Sequence, residues 1–103
     1  MHVTIWEFRV KKGREAEFER TYGPTGEWAR FFEHGEGYLG TELLRDAKDR
    51  QRYITIDRWT SPAAYEAFRS RWADEYEAID ERCEALTEYE APLGSLVPRA
   101  GEP

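Results

Sequence analysis

Residues 37–59 read GYLGTELLRDAKDRQRYITIDRW, and the reading of this stretch decides the fold. Two β-like runs, 38–44 and 53–59, flank a charged connector. The connector, 45–52, is polar apart from Ala47 and is too long for a two-residue hairpin turn. Gly40 falls inside the first run, where a glycine marks a bulge or a close approach by another group. Towards the N-terminus, residues 2–10 form a first strand. Val3 and Ile5 point to one side and Trp6, Phe8 and Val10 to the other. Glu7 and Arg9 share the Val3 side. A strand apolar on both faces predicts that the sheet is covered on both, the mixed face by a partner surface.

After a turn at Lys11-Lys12-Gly13, a helix is expected over 14–22, stopped by Gly23-Pro24. Thr25 is a plausible N-cap for a short helix over 26–34 that carries Trp28, Phe31 and Phe32. Beyond the hairpin, Ser61 reads as an N-cap and Pro62 as the first helical residue. The series Tyr65, Phe68, Trp72, Tyr76, Ile79, Cys83, Leu86 steps by three and four, and Asp80 belongs to the opposite, charged face. One long helix results, with room for a bend near Ala73-Asp74. A last strand, 87–93, ends at Pro92 or Gly94. The order β-α(α)-β-β-α-β predicts an α+β, ferredoxin-like antiparallel sheet with its helices on one face. The domain covers 1–96, and 97–103 reads as a flexible C-terminal tail.

With 103 residues the chain is one small domain. Its net charge of -6 argues against nucleic acid or an anionic membrane as partner. A single cysteine, Cys83, excludes an intrachain disulfide. There is no basic segment leading into an apolar one at the start, and no apolar run near ~20 residues, so a cytoplasmic protein is expected. His2 and His34 do not pair by spacing, and Cys83 sits on the apolar stripe, so no metal site is expected. Glu88 and Glu90 share a face of the last strand by alternation, as Arg52 and Arg58 do on the third. Such groups form ion pairs more often than paired acids.

Aromatic residues make up 15% of the chain, enough to fill a core or line a pocket. Trp6, Tyr22, Trp28, Phe32, Phe68, Trp72 and Tyr76 are the candidates for either role. Trp59 either flanks a flat ligand or seals the strand–helix junction. If it faces inward, alternation brings Asp57 and Thr55 with it. An aspartate in an aromatic cavity has a raised pKa and can take a proton from a phenol.

The element order, the Trp59-Thr60-Ser61 junction, Phe68, Trp72, the aromatic first helical region, the Tyr22-Gly23-Pro24 turn and the Gly-Tyr-Leu-Gly-Thr sequence at 37–41 together resemble the antibiotic biosynthesis monooxygenase family. The resemblance runs over roughly 3–96. It implies a homodimer in which the open sheet faces pack as a dimeric α+β barrel. Characterised members of that family oxidise polycyclic phenols or quinols with molecular oxygen and without metal or flavin, so no cofactor is implied. Others degrade haem. The family's oxygenases use an Asn on the first strand and a Trp at the end of the third. Trp59 matches the Trp, but the chain contains no Asn. The helix that carries a proximal His in the haem-degrading branch reads Tyr76-Glu77-Ala78-Ile79 here, so haem degradation is not expected. Two readings stay open. One is a monooxygenase for a small aromatic or quinol-type substrate, with Trp59 orienting it and Asp57 or a pocket Tyr handling the proton. The other is a non-catalytic dimer that binds a small hydrophobic ligand or serves as an interaction domain.

Overall fold

A computed structural model describes residues 1–100. The elements are β1 (His2–Val10), α1 (Glu15–Tyr22), α2 (Glu27–Phe32), β2 (Tyr38–Arg45), β3 (Arg52–Trp59), α3 (Pro62–Arg71), α4 (Ala73–Cys83), a 3-10 turn (Glu84–Leu86) and β4 (Thr87–Leu96). The four strands form one sheet in the order β2-β3-β1-β4, with every neighbouring pair antiparallel. This is the ferredoxin-like α+β plan. Alternation decides what each strand shows to the helices. On β3, Tyr53, Thr55, Asp57 and Trp59 are buried, while Ile54, Ile56 and Arg58 face the open side. Across the ladder, Phe8 sits opposite Tyr53, Trp6 opposite Thr55 and Thr4 opposite Asp57.

Gly40 carries a bulge. Tyr38 pairs with Trp59 and Gly40 with Arg58, so Leu39 is an extra residue, and Gly40 takes a left-handed φ of 136°. Ser61 caps α3, its hydroxyl accepting from the Ala64 N–H at 3.0 Å, with Pro62 following.

Four expectations need correction. The expected long helix is two helices, because Trp72 (φ -112°, ψ 28°) leaves helical geometry one residue before the anticipated bend. Gly26, not Thr25, occupies the N-cap of α2. A Cβ there would lie 2.4 Å from the Arg20 carbonyl oxygen, so the tight turn admits only glycine. Thr25 acts instead through its carbonyl, which accepts from Arg30 Nη1 at 2.6 Å. β4 runs through Pro92 and Gly94 to Leu96. It is an edge strand, where a proline is tolerated, and Leu93 is the extra residue of a bulge between the pairs Ile5↔Gly94 and Trp6↔Pro92. A second irregularity, near Val10, puts Glu88 and Glu90 in different surroundings: Glu88 lies 3.7 Å from Arg9, and Glu90 sits opposite Phe8 on the helix side. Of the expected tail, 97–100 has no regular structure, and 101–103 lies outside the described residues.

Candidate functional site

The inner face of the sheet is almost wholly aromatic, and its packing separates a sealed end from an open slot. At the sealed end Trp59 has no exposed surface. Its ring lies 5.2 to 5.8 Å from those of Phe68, Tyr38, Tyr65 and Phe32. Gly35 permits this approach, since a Cβ there would stand 2.8 Å from Trp59 Cζ3 and from Phe68 Cδ1. The indole N–H of Trp59 is buried with no hydrogen-bond partner among the described residues, an arrangement that puts packing ahead of polar satisfaction.

The slot opens farther along the sheet, between the strands and helices α2 and α4. It is lined by Trp6, Phe8, Tyr22, Trp28, Phe32, Thr41, Thr55, Asp57, Tyr76, Asp80 and Glu90. The empty space amounts to about 430 Å³ including the part continuous with solvent, of which about 40 Å³ admits the centre of a water molecule. One or a few waters fit without movement of the walls.

Asp57 is the chemically distinctive member. It is only 8% exposed. Burial pushes its carboxyl up from 3.8 to about 6, against the opposing pull of a hydrogen bond from Thr41. Thr41 Oγ1 donates to Asp57 Oδ1 at 2.5 Å, and the Tyr38 hydroxyl lies 2.5 Å from Thr41 Oγ1. The phenols of Tyr22 and Tyr76 are raised well above their ordinary value by burial, so near neutrality they are donors and not bases. The Arg69 guanidinium sits 3.9 Å over the Tyr76 ring. Asp80 and Glu90 are also raised by burial, Glu90 further by the nearby Asp80 and Glu84. Among the described residues lining the slot there is no Lys, Arg or His.

Of the candidates read from the sequence, Trp6, Tyr22, Trp28, Phe32, Thr55, Asp57 and Tyr76 come together around the slot. Trp59, Phe68 and Trp72 do not line it. Phe68 and Trp72 instead border a shallow surface groove with His34, Gly37 and Thr60. Alternation put Trp59 on the same face as Asp57, but at the strand's end, where α3 closes over it. Four lining residues escaped the sequence reading. Phe8 was within reach, since it shares a face with Trp6. Asp80 lies one turn beyond Tyr76 on α4, within reach by helical spacing. Thr41 follows from alternation with Leu43, and Glu90 depends on a bulge. His2 and His34 both lie away from the slot.

A sequence model described as "Antibiotic biosynthesis monooxygenase" matches residues 1–82. A curated relative from Mycobacterium tuberculosis, "Heme oxygenase (mycobilin-producing)", is 32% identical over 66 residues, 64% of this chain. The chain spans 60% of that relative's length. Among solved structures, SnoaB from Streptomyces nogalater, described as a cofactor-independent oxygenase, superposes with a TM-score of 0.75 at 25% identity, covering 99% of this chain and 96% of that one. A putative antibiotic biosynthesis monooxygenase from Bordetella bronchiseptica superposes with a TM-score of 0.73 at 19% identity over 96% and 97%, a likeness of fold.

Proposed function

Because the chain belongs to the antibiotic biosynthesis monooxygenase family, we propose that it is a cofactor-independent oxygenase acting on a small aromatic or quinol-type substrate. The observation that carries this reading is a buried carboxylate, Asp57, lining an aromatic slot, its carboxyl pushed up to about 6 by burial. Such a group can take the acidic proton of a quinol or of the activated methylene of an anthrone. The electron-rich anion then passes an electron to oxygen. For a methylene, carbon–oxygen bond formation and loss of water leave a carbonyl, with one oxygen atom in the product and the other in water. The protein's part is to orient the ring, exclude water and hold the proton. A planar ring needs more room than the slot now offers, so binding requires the mouth residues Tyr76, Asp80 and Glu90 to part.

The functional unit in this reading is a homodimer. The open face carries Val3, Ile5, Ile54, Ile56, Leu44 and Leu96, framed by the Arg52–Glu7 pair at 2.7 Å and the Arg58–Glu42 pair. An apolar strip ringed by paired charges suits a second copy of itself. Sedimentation should give twice the 12.1 kDa chain mass, and a strict monomer at micromolar concentration would count against it.

The test of activity is oxygen uptake with dihydroxynaphthalenes and anthrones. Turnover should appear in the wild type and fall by at least ~100-fold in Asp57→Asn, the usual worth of a general base. Full turnover in Asp57→Asn removes Asp57 from the mechanism. The second reading, a binding dimer without catalysis, is favoured by the placement of Trp59 outside the slot and by the lack of any Asn in the chain. Quenching of tryptophan fluorescence by the same compounds, with no oxygen consumed, would select it.

A further inference from the structure

Asp57 has an unusual set of polar neighbours, and the set is made by an irregularity in β2. Thr41 and Tyr38 are three residues apart. On a regular strand they would face opposite sides of the sheet. The extra residue Leu39, with Gly40 at a φ of 136°, brings both to the inner side. The Tyr38 hydroxyl then lies 2.5 Å from Thr41 Oγ1, which in turn lies 2.5 Å from Asp57 Oδ1. A bulge commonly re-aims a side chain beside a site. Here it aims two.

We propose that Tyr38 and Thr41 are positioning residues for Asp57, their hydroxyls forming a reversible hydrogen-bond chain that holds Oδ1 and leaves Oδ2 for the substrate's proton. The proposal rests on the reading of Asp57 as the base.

Donor bookkeeping gives the chain its direction. Thr41 has one hydroxyl hydrogen and spends it on Asp57 Oδ1, so at Thr41 the Tyr38 hydroxyl must be the donor. When Asp57 gains a proton the chain can turn over as a unit. The acid donates to Thr41 and Thr41 to Tyr38, whose own hydrogen turns away from the chain. A fixed amide or guanidinium donor would satisfy only the ionised state. Tyr38 is held for this role, its ring 5.6 Å from Phe32 and 5.3 Å from Trp59. Trp59 thus supports the site at one remove, although it does not line the slot.

The surroundings show why the chain matters. Asp57 is flanked by Thr4 from β1 and Thr55 from its own strand. Tyr76 and Asp80 face the slot from α4, Glu90 from β4, and Tyr22 from α1. None of these is a cation. Burial favours the neutral acid, and the Thr41 hydrogen bond is the influence that opposes it. Without the hydroxyl that opposition is lost, and Asp57 would keep its proton to higher pH.

The experiment is a carboxyl-carbon NMR titration of Asp57 in the substrate-free dimer or monomer as purified, for wild type, Thr41→Val, Thr41→Ser and Tyr38→Phe. Thr41→Val should move the midpoint up by about one pH unit or more, the weight of a hydrogen bond to a charged group. Thr41→Ser should restore it, and Tyr38→Phe should raise it by less. A wild-type midpoint in Thr41→Val, or in Tyr38→Phe should the valine variant not fold, would overturn the proposal. So would a serine variant that folds yet titrates like the valine one. Turnover of Asp57→Asn is read separately: its loss supports the base, and its persistence beside a shifted Thr41→Val midpoint rejects the base while the hydroxyl chain stands.

Discussion

Replacing Asp57 by Asn should make the protein more stable at neutral pH while abolishing turnover. The carboxyl is raised from 3.8 to about 6 in the folded chain. The folded state therefore holds its proton more tightly than the unfolded state does. Stability falls as pH rises between these two values, and the ionised carboxylate costs the folded chain about 3 kcal/mol above them, at about 1.36 kcal/mol per pH unit. Below pH 3.8 both states are protonated and the group contributes nothing. Asn has the shape of the neutral acid, and its carbonyl oxygen can still accept from Thr41. The gain in Asp57→Asn should thus be about 3 kcal/mol at pH 8 and shrink towards zero near pH 4. Urea denaturation of both proteins at fixed concentration, from pH 4 to 8, measures the difference directly. A difference that stays flat across this range, or an Asn variant less stable at pH 8, refutes the argument. The same experiment links function to structure, because a group that destabilises the fold and is kept is expected at a site.

Other expectations follow from the sealed end. Gly35→Ala should lower stability by about 1–3 kcal/mol, since its Cβ would meet Trp59 and Phe68 at 2.8 Å, and thermal denaturation will show it. Trp59→Leu should cost roughly 2–4 kcal/mol by thermal or urea denaturation, because the ring is fully buried. If Trp59 acts only through packing, any loss of activity in that variant should follow the loss of Tyr38 order, seen as a shifted Asp57 midpoint. Titration with haem should leave the Soret band at its free position, because neither His2 nor His34 lines the slot. A shifted Soret band that His34→Ala abolishes would reverse that expectation.

The element order and the strand faces were legible in the sequence because they rest on short-range periodicity. The alternation of Tyr53, Thr55, Asp57 and Trp59 needed nothing beyond the pleat, and Ser61-Pro62 announced its helix locally. Part of what escaped depends on counting across irregularities. Glu90 sits where it does because a bulge changes the phase of β4, and the bulge at Leu39 hides that Tyr38 and Thr41 share a face. Asp80 lies one turn beyond Tyr76, at the polar margin of the apolar stripe. β4 was read as ending at Pro92 or Gly94 because both residues weaken a strand, and only its edge position explains why it continues. Trp59 was read as either flanking a ligand or sealing the strand–helix junction, and it is buried at that junction. How far along that face the slot begins depends on where α3 closes down, which no local pattern records.

The extra residue at Leu39 makes the union of two hydroxyls a matter of parity. Side chains three apart on a strand have opposite parity, and the bulge makes it even by taking one residue out of the pleat. Leu39 itself is half exposed and can drift in identity. Deleting it would leave Tyr38 two residues from Thr41, with both still on the inner face of a regular strand. What would part the hydroxyls is a flattened bulge with every residue kept: Leu39 would then take the inward place opposite Trp59, and Tyr38 would turn outward. The quantity on which the carboxylate's partners depend is therefore a backbone state, held at Gly40 by its φ of 136°. Natural sequences of this length should be free in letter at 39 and strict at 40.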